Sequence, residues 1–323
     1  MARDMTNASG GPSSALGPAS QELTVRHLEH ACRPAMLTTF LLSLVVALAV
    51  PGLEWSAASV PRPIGPGVGV STSRGVASDE SDKGVCVWAF RGVNSALEES
   101  GATWYLTWST THDGVVTPRG AQFVPMVRAA ANVTPATLAQ AEHSGPALLT
   151  FNEPDLDTQA DMTVDQALSI WPKLMATGLL LASPAVATGA AKPGGWLDRF
   201  MKGVEQRHYR VNFIAVHWYG ADFQTGAAVA QLKTYLESVH RRYGLPVWLT
   251  EYALIDFAAD GPIFPTGVEQ AAFVTASARM LDSLAFVQRY AWFALPAPSS
   301  GPSTGLYAPG PRATVVGQAF ART

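Results

Sequence analysis

Two glutamates carry the clearest chemical signal in this chain. Glu153 lies in Thr150-Phe151-Asn152-Glu153-Pro154-Asp155, and Glu251 in Trp248-Leu249-Thr250-Glu251-Tyr252. Each closes a short apolar run, where a buried strand would end and its last side chains would meet a ligand. Two facing carboxyls can cleave a glycosidic bond: one gives its proton to the leaving oxygen, and the other meets the positive charge that grows on the anomeric carbon. Glu153 follows Asn152, whose amide could hold a sugar hydroxyl, and is expected to be the acid/base. Glu251 is expected to be the nucleophile, its charged form favoured by a donor such as Tyr219 or His217. A single acidic residue at a helix start is as easily a cap partner; the matched pair and the aromatics around it favour chemistry.

Pyranose rings pack their C–H faces on aromatic rings, and aromatics here cluster at segment ends: Trp104, Tyr105 and Trp108, then Trp218 and Tyr219, then Trp292 and Phe293. Asn152, Trp104, Trp108, His217, Trp218, Tyr219 and Trp292 are therefore the expected substrate-binding residues. Some of these rings must serve as core, since aromatics contribute heavily to buried area, and Trp248, inside its segment, is the first candidate. Other chemistries find little support. The seven histidines are scattered without a compact metal-ligand motif, there is no GxGxxG or GxxxxGK sequence, and no nucleophile elbow of the GxSxG kind joins a strand to a helix. Neither a cofactor nor a metal is expected. Asp155 is expected to anchor its loop by accepting backbone donors, and Cys86 to be a buried strand residue.

The elements that must position this pair recur in a regular order. Strand-like segments are expected at 85–90, 103–107, 122–126, 147–152, 180–184, 211–217, 246–251 and 289–294. Most are near-continuous apolar runs, as parallel strands covered on both faces require. Helical patterns fill the gaps: 94–100, 134–143, 193–209 and 225–243, with Thr163/Gln166 and Thr266/Glu269 forming capping boxes ahead of helices reaching about Gly178 and Phe286. Eight alternations predict an α/β fold, a (β/α)8 TIM barrel forming a compact single domain, with the active site at the C-terminal ends of its strands.

At 323 residues and 48% hydrophobic content the chain can build a large core. A net charge of -3 with 15% charged residues gives no basic surface for nucleic acid. The N-terminal region reads differently. Arg33 precedes an apolar run from Phe40 to Val50, then Pro51, Gly52 and the small residues Ser56, Ala57 and Ala58. This is the layout of a signal peptide, and the run is shorter than the roughly 20 residues that span a bilayer. Residues 1–58 are thus expected to be a leader, 59–82, rich in Pro, Gly and Ser, a disordered linker, and 83–323 the barrel. A secreted or extracytoplasmic monomer follows, with Cys86 as the one cysteine left after cleavage.

From Lys83 to Phe320 the chain resembles glycoside hydrolase family 128, small (β/α)8 endo-β-1,3-glucanases and related cell-wall proteins. The likeness rests on Trp104-Tyr105 with Trp108-Ser109, Phe123-Val124-Pro125-Met126, Phe151-Asn152-Glu153-Pro154-Asp155, Ser183-Pro184-Ala185, Val216-His217-Trp218-Tyr219-Gly220 and Val247-Trp248-Leu249-Thr250-Glu251. The resemblance implies a retaining mechanism with Glu153 as acid/base and Glu251 as nucleophile, Asn152, His217 and Tyr219 around the cleaved unit, and β-1,3-glucan as the partner. One departure is local: the family commonly has Tyr-Asn where this chain has Leu106-Thr107, which removes an amide that could orient a sugar.

Overall fold

The computed structural model describes residues 82–323. The apolar run at Phe40–Val50 and the Pro/Gly-rich stretch ahead of Asp82 lie outside the described residues. Among the described residues no helix is long and apolar enough to cross a membrane.

Among the described residues twelve strands and seven α-helices follow one another in the order expected of a barrel with decorated ends. The eight barrel strands are β1 (Asp82–Cys86), β2 (Trp104–Leu106), β3 (Gln122–Phe123), β4 (Ala147–Asn152), β5 (Leu180–Ala185), β6 (Ile214–Gly220), β7 (Val247–Leu254) and β10 (Val287–Trp292). Between β7 and β10 a small hairpin is inserted, β8 (Asp256–Ala258) and β9 (Gly261–Ile263), and β11 (Tyr307–Ala308) pairs with β12 (Arg312–Ala313) after the last barrel strand. The helices are α1 (Val93–Ser100), α2 (Pro135–Ser144), α3 (Val164–Met175), α4 (Trp196–Gln206), α5 (Thr225–Tyr243), α6 (Gly267–Asp282) and α7 (Val315–Phe320).

Closure is visible in the pairing. A six-stranded parallel sheet runs β3-β2-β1-β10-β7-β6, and β4 pairs with β5. Single parallel bridges, Met126 to Leu149 and Ala182 to Phe213, join the two sheets at both seams and complete the ring. Two cores result. One lies between strands and helices and includes Phe151, Trp171, Phe200, Tyr252, Phe273 and Trp292. The other fills the barrel and includes Cys86, Trp104, Leu106, Met126, Phe213 and Trp248.

Local sequence explains the frame. Thr163 accepts from Gln166 N–H and Thr266 from Glu269 N–H, each answered by the return bond of a capping box. Glycine at position 84 is required by packing, because a Cβ there would fall 2.3 Å from the Trp104 indole. Lys83 Nζ donates to the Phe320 and Thr323 carbonyls at 2.9 and 2.8 Å, tying the first strand to the last helix. Several boundaries differ from those read in the sequence. β1 ends at Cys86, although the Val87 N–H still donates to the Leu106 carbonyl at 2.9 Å, while β6 and β7 run three residues past His217 and Glu251.

Candidate active site

Four strands supply the site. Glu153 follows β4 directly and has left-handed backbone, φ 46°, uncommon outside glycine. The turn is held by its N–H, which donates to the Ala185 carbonyl at the end of β5 at 2.7 Å. Glu251 lies within β7, in register with His217 on β6. Trp108 comes from the segment after β2 and also has positive φ, 56°. Such conformations concentrate at functional sites, and here each aims a side chain into the barrel mouth.

The side chains form one connected group. His217 Nδ1 lies 3.0 Å from Glu153 Oε1, and its Nε2 lies 3.5 Å from Glu251 Oε1. Trp108 Nε1–H donates to Glu251 Oε1 at 2.7 Å, and the Tyr219 hydroxyl donates to Glu251 Oε2 at 2.6 Å. A carboxylate oxygen of Glu153, a ring nitrogen of His217 and a carboxylate oxygen of Glu251 lie within 4.8 Å of one another. Glu153, His217 and Glu251 are all buried, at 2%, 1% and 1% exposure.

Burial raises the Glu251 pKa, and the neighbouring Glu153 charge adds to it. The His217 charge and the hydrogen bonds from Tyr219 and Trp108 oppose the rise without cancelling it. For His217, burial disfavours the imidazolium, but the Glu251 charge and the hydrogen bond and charge of Glu153 outweigh it, so its pKa is raised. The Tyr219 phenol is pushed well up, by burial first and then by both glutamates, and stays a donor. Three atoms in the group could in principle ligate a cation. Donor protons aimed at both oxygens of Glu251 suit a carboxylate held for other work.

The expected binding residues divide. Asn152, Trp108, His217 and Tyr219 come together at the mouth. Trp104 does not: it is fully buried in the barrel interior beside Trp248, with ring centroids 5.8 Å apart. Trp292 is also fully buried, packed edge-on against Tyr252 at 5.0 Å, and donates Nε1–H to the Thr304 carbonyl. Trp218 faces the helical layer and stacks on Phe273 of α6 at 5.7 Å. Gly220 makes room for it, since a Cβ there would fall 2.4 Å from the indole. These three are corrected from substrate platforms to packing residues. Inward and outward sides alternate along a strand, so the neighbours Tyr219 and Phe293 face the site instead.

Trp88 and Phe257 at the mouth are not marked in the sequence, and Phe293, one of the aromatics noted at segment ends, joins them there. Trp88 packs 6.2 Å from Trp108 and 6.1 Å from Phe293, and Phe293 meets Tyr219 edge-on at 5.7 Å. Phe257, from the inserted hairpin, meets Tyr219 edge-on at 5.3 Å. Trp88 lies inside the 85–90 segment expected as the first strand, so no signal set it apart, and nothing local marks Phe257. Asp155 accepts the Ala187 N–H at 2.9 Å, as expected of a loop anchor. Thr107 donates to the Thr111 carbonyl at 2.8 Å, so the departure from the family pattern is built into the loop that carries Trp108. Cys86 is buried in the strand, its thiol directed at the Thr250 carbonyl, and burial pushes its pKa well up.

A (β/α)8 barrel with two buried glutamates meeting at its mouth defines a glycoside hydrolase. The family profile described as "Glycosyl hydrolase catalytic core" matches residues 85–320, and the chain belongs to glycoside hydrolase family 128. A family 128 subgroup I endo-β-1,3-glucanase from Amycolatopsis mediterranei, solved with laminaritriose, is 50% identical. It matches with a TM-score of 0.72 over 75% of this chain and 99% of that one. A subgroup II endo-β-1,3-glucanase from Sorangium cellulosum is 25% identical, with a TM-score of 0.63 over 74% of this chain and 97% of that one. Alkali-sensitive linkage protein 1 of Schizosaccharomyces pombe is 30% identical over 222 residues, 66% of this chain. This chain spans 38% of the length of that longer protein.

Proposed function

We propose that this chain is a retaining endo-β-1,3-glucanase with Glu251 as nucleophile and Glu153 as acid/base. The observation that carries the reading is the approach of the two glutamates, one oxygen of each within 4.8 Å. Retaining enzymes place their carboxyls roughly 5–5.5 Å apart, whereas an inverting pair needs roughly 6.5–9.5 Å to admit a water between carboxylate and sugar. Glu251 attacks the anomeric carbon as Glu153 protonates the departing oxygen, leaving a glycosyl ester on Glu251. Glu153, now ionised, takes a proton from a water that attacks the same carbon and releases Glu251. The donors Trp108 and Tyr219 fix both oxygens of the nucleophile, so it needs little reorganisation on the way to the transition state. Trp88 and Phe293 flank the site with ring surface for a pyranose. The preference for β-1,3 linkages is supported by the half-identical Amycolatopsis enzyme, solved with laminaritriose, laminaripentaose and laminarihexaose.

The test is a comparison of laminarin with β-1,4-glucan and chitin, scored by new reducing ends, for the wild type and Glu251→Gln. Laminarin should be cleaved internally with the β-anomer formed first, as read by proton NMR. The substitution should lower kcat by about 10⁴-fold or more while glucan binding persists. Initial release of the α-anomer would overturn the retaining assignment, and near wild-type turnover by Glu251→Gln would overturn the nucleophile. Export rests on the signal-peptide layout around Phe40–Val50; N-terminal sequencing of protein recovered from the medium checks it, with a start downstream of Pro51 expected.

A further inference from the structure

The hydroxyl that holds Glu251 Oε2 reaches it from further up the barrel than the other groups at the mouth. Tyr219 stands two residues beyond His217 on β6, on the same side of the strand, and is in register with Ala253 of β7, whereas His217 is in register with Glu251. Two residues of strand rise about 7 Å, so the phenol leans back toward Glu251 to make its 2.6 Å bond. Ala253 offers only a methyl group beside it, which cannot fix that lean.

Two other rings do. Phe257 meets the Tyr219 ring edge-on at 5.3 Å with an interplanar angle of 89°, and Phe293, which follows β10, meets it at 5.7 Å and 86°. Edge-on contact is a favoured geometry for paired rings. Phe293 also lies 6.0 Å from Trp108, the other donor to Glu251. Phe257 belongs to the inserted hairpin, which follows β7 with only the buried Ile255 between them. In the ladder of β8 and β9, Phe257 stands opposite Pro262 and Asp256 opposite Ile263. Successive residues of a strand point to opposite faces, and Ile263 is 50% exposed. One face of the hairpin is thus turned to solvent and the other, with Phe257, to Tyr219.

Resting on the glucanase reading above, we infer that the inserted hairpin is part of the catalytic apparatus: Phe257 is a positioning residue that holds the Tyr219 ring against Phe293 and so keeps its hydroxyl on the nucleophile. Phe257 acts through Tyr219 and needs no contact with the sugar. Without it the Tyr219 side chain is free to take other staggered rotamers, which carry the hydroxyl away from Glu251 Oε2. Glu251 is faced by Glu153 after β4, His217 and Tyr219 from β6, Trp108 after β2 and the Cys86 thiol from β1. Among these the Tyr219 bond favours the Glu251 anion, so weakening it has a readable sign: Glu251 ionises at higher pH.

The experiment places Phe257→Ala, Phe257→Leu and Phe257→Tyr in the wild type and in a Tyr219→Phe background, assayed on laminarin across pH. Leucine keeps apolar bulk in the hairpin without a ring edge, and tyrosine keeps the ring. Phe257→Ala should lower kcat roughly 10-fold or more, as small misplacements near a reacting centre do, with KM changed by less than about 3-fold. The acid limb of its pH profile should move to higher pH. Phe257→Leu should show the same pattern in smaller measure, and decides the matter if the alanine variant fails to fold; Phe257→Tyr should retain most of the activity. In the Tyr219→Phe background, Phe257→Ala should change kcat by less than about 3-fold, because the bond it supports is already gone. An equal loss in both backgrounds would make Phe257 a general packing residue and overturn the inference, as would full activity of Phe257→Ala. A raised KM with an unmoved acid limb would make it a sugar contact and overturn the inference as well. Failure of the wild type to cleave laminarin would instead remove the glucanase reading itself, so the two failures are distinguishable.

Discussion

The two ends of the barrel interior are built from opposite materials. At the lower end Phe213 and Trp248 stack with centroids 4.0 Å apart, Trp104 packs beside them, and the Arg289 guanidinium covers Trp248 at 4.4 Å. At the upper end Glu153, His217, Glu251 and Asn152 share the same inward direction and are equally buried. Facing inward therefore does not decide whether a residue packs or reacts; height along the strand does. Trp104 and Trp108 come from one strand and the segment leaving it, yet the first is sealed in the floor while the second donates to the nucleophile. Buried polarity is tolerated only where partners are supplied, and the upper end supplies Trp108 and Tyr219 for Glu251.

The largest effect that could break this contrast is on stability. Trp104→Ala removes a fully buried ring from the floor and strips Trp248 and Arg289 of a neighbour, which should cost about 3–5 kcal/mol. Urea denaturation should show the lower midpoint, while KM for laminarin stays within about 2-fold of wild type. A raised KM at unchanged stability would put Trp104 back in the cleft.

Trp108→Phe sharpens the other side. Phenylalanine keeps an aromatic ring against Trp88 and Phe293 but loses the N–H that Glu251 Oε1 accepts, so kcat/KM should fall roughly 10- to 100-fold. The pH profile carries the sign. Glu251 attacks only when ionised, and its pKa is raised by burial in spite of the Trp108 bond. Activity is therefore lost as pH falls through that raised value. Removing a donor that favours the anion raises it further, so the acid limb of kcat/KM against pH should move to higher pH. A fall in activity with an unmoved acid limb would make Trp108 a sugar platform and nothing more.

These contrasts also mark how far the sequence could be read. Helix α5 was legible to the residue, Thr225–Tyr243, because a polar face, basic residues in the last turn and Gly244 beyond it all agree. The β4 segment, Ala147–Asn152, was equally plain. What could not be read was which side of a strand faces inward. Parallel strands apolar on both faces lack alternation, so Trp218 and Trp292 could not be told from their inward neighbours Tyr219 and Phe293. The pair Glu153 and Glu251 was legible because carboxylates have no reason to end two apolar runs. The bond from Trp108 to Glu251 joins residues 143 apart in sequence, and no local pattern encodes it.

A third carboxylate, outside the barrel, supplies the smallest test of what buried charge requires. Asp198 on α4 is almost fully buried, which alone would raise its pKa. Hydrogen bonds from Arg242, the Gly194 N–H and Lys202 reverse this and bring it down to about 2. Glu251, by contrast, is raised, by burial first and then by the glutamate beside it, in spite of the donors Trp108 and Tyr219. The depressed value of Asp198 means that its ionised form stabilises the fold at pH above about 4. That stability is lost as pH falls through about 2. Asp198→Asn should therefore cost about 1–2 kcal/mol near neutrality after discounting for solvent screening around Lys202, roughly 2–6 °C in Tm. The gap from wild type should close as the solution is brought to about pH 2, where the wild-type carboxyl is protonated as well. A gap that stays constant across that range would show that Asp198 stabilises α4 by shape and hydrogen bonding alone, with no part for its charge.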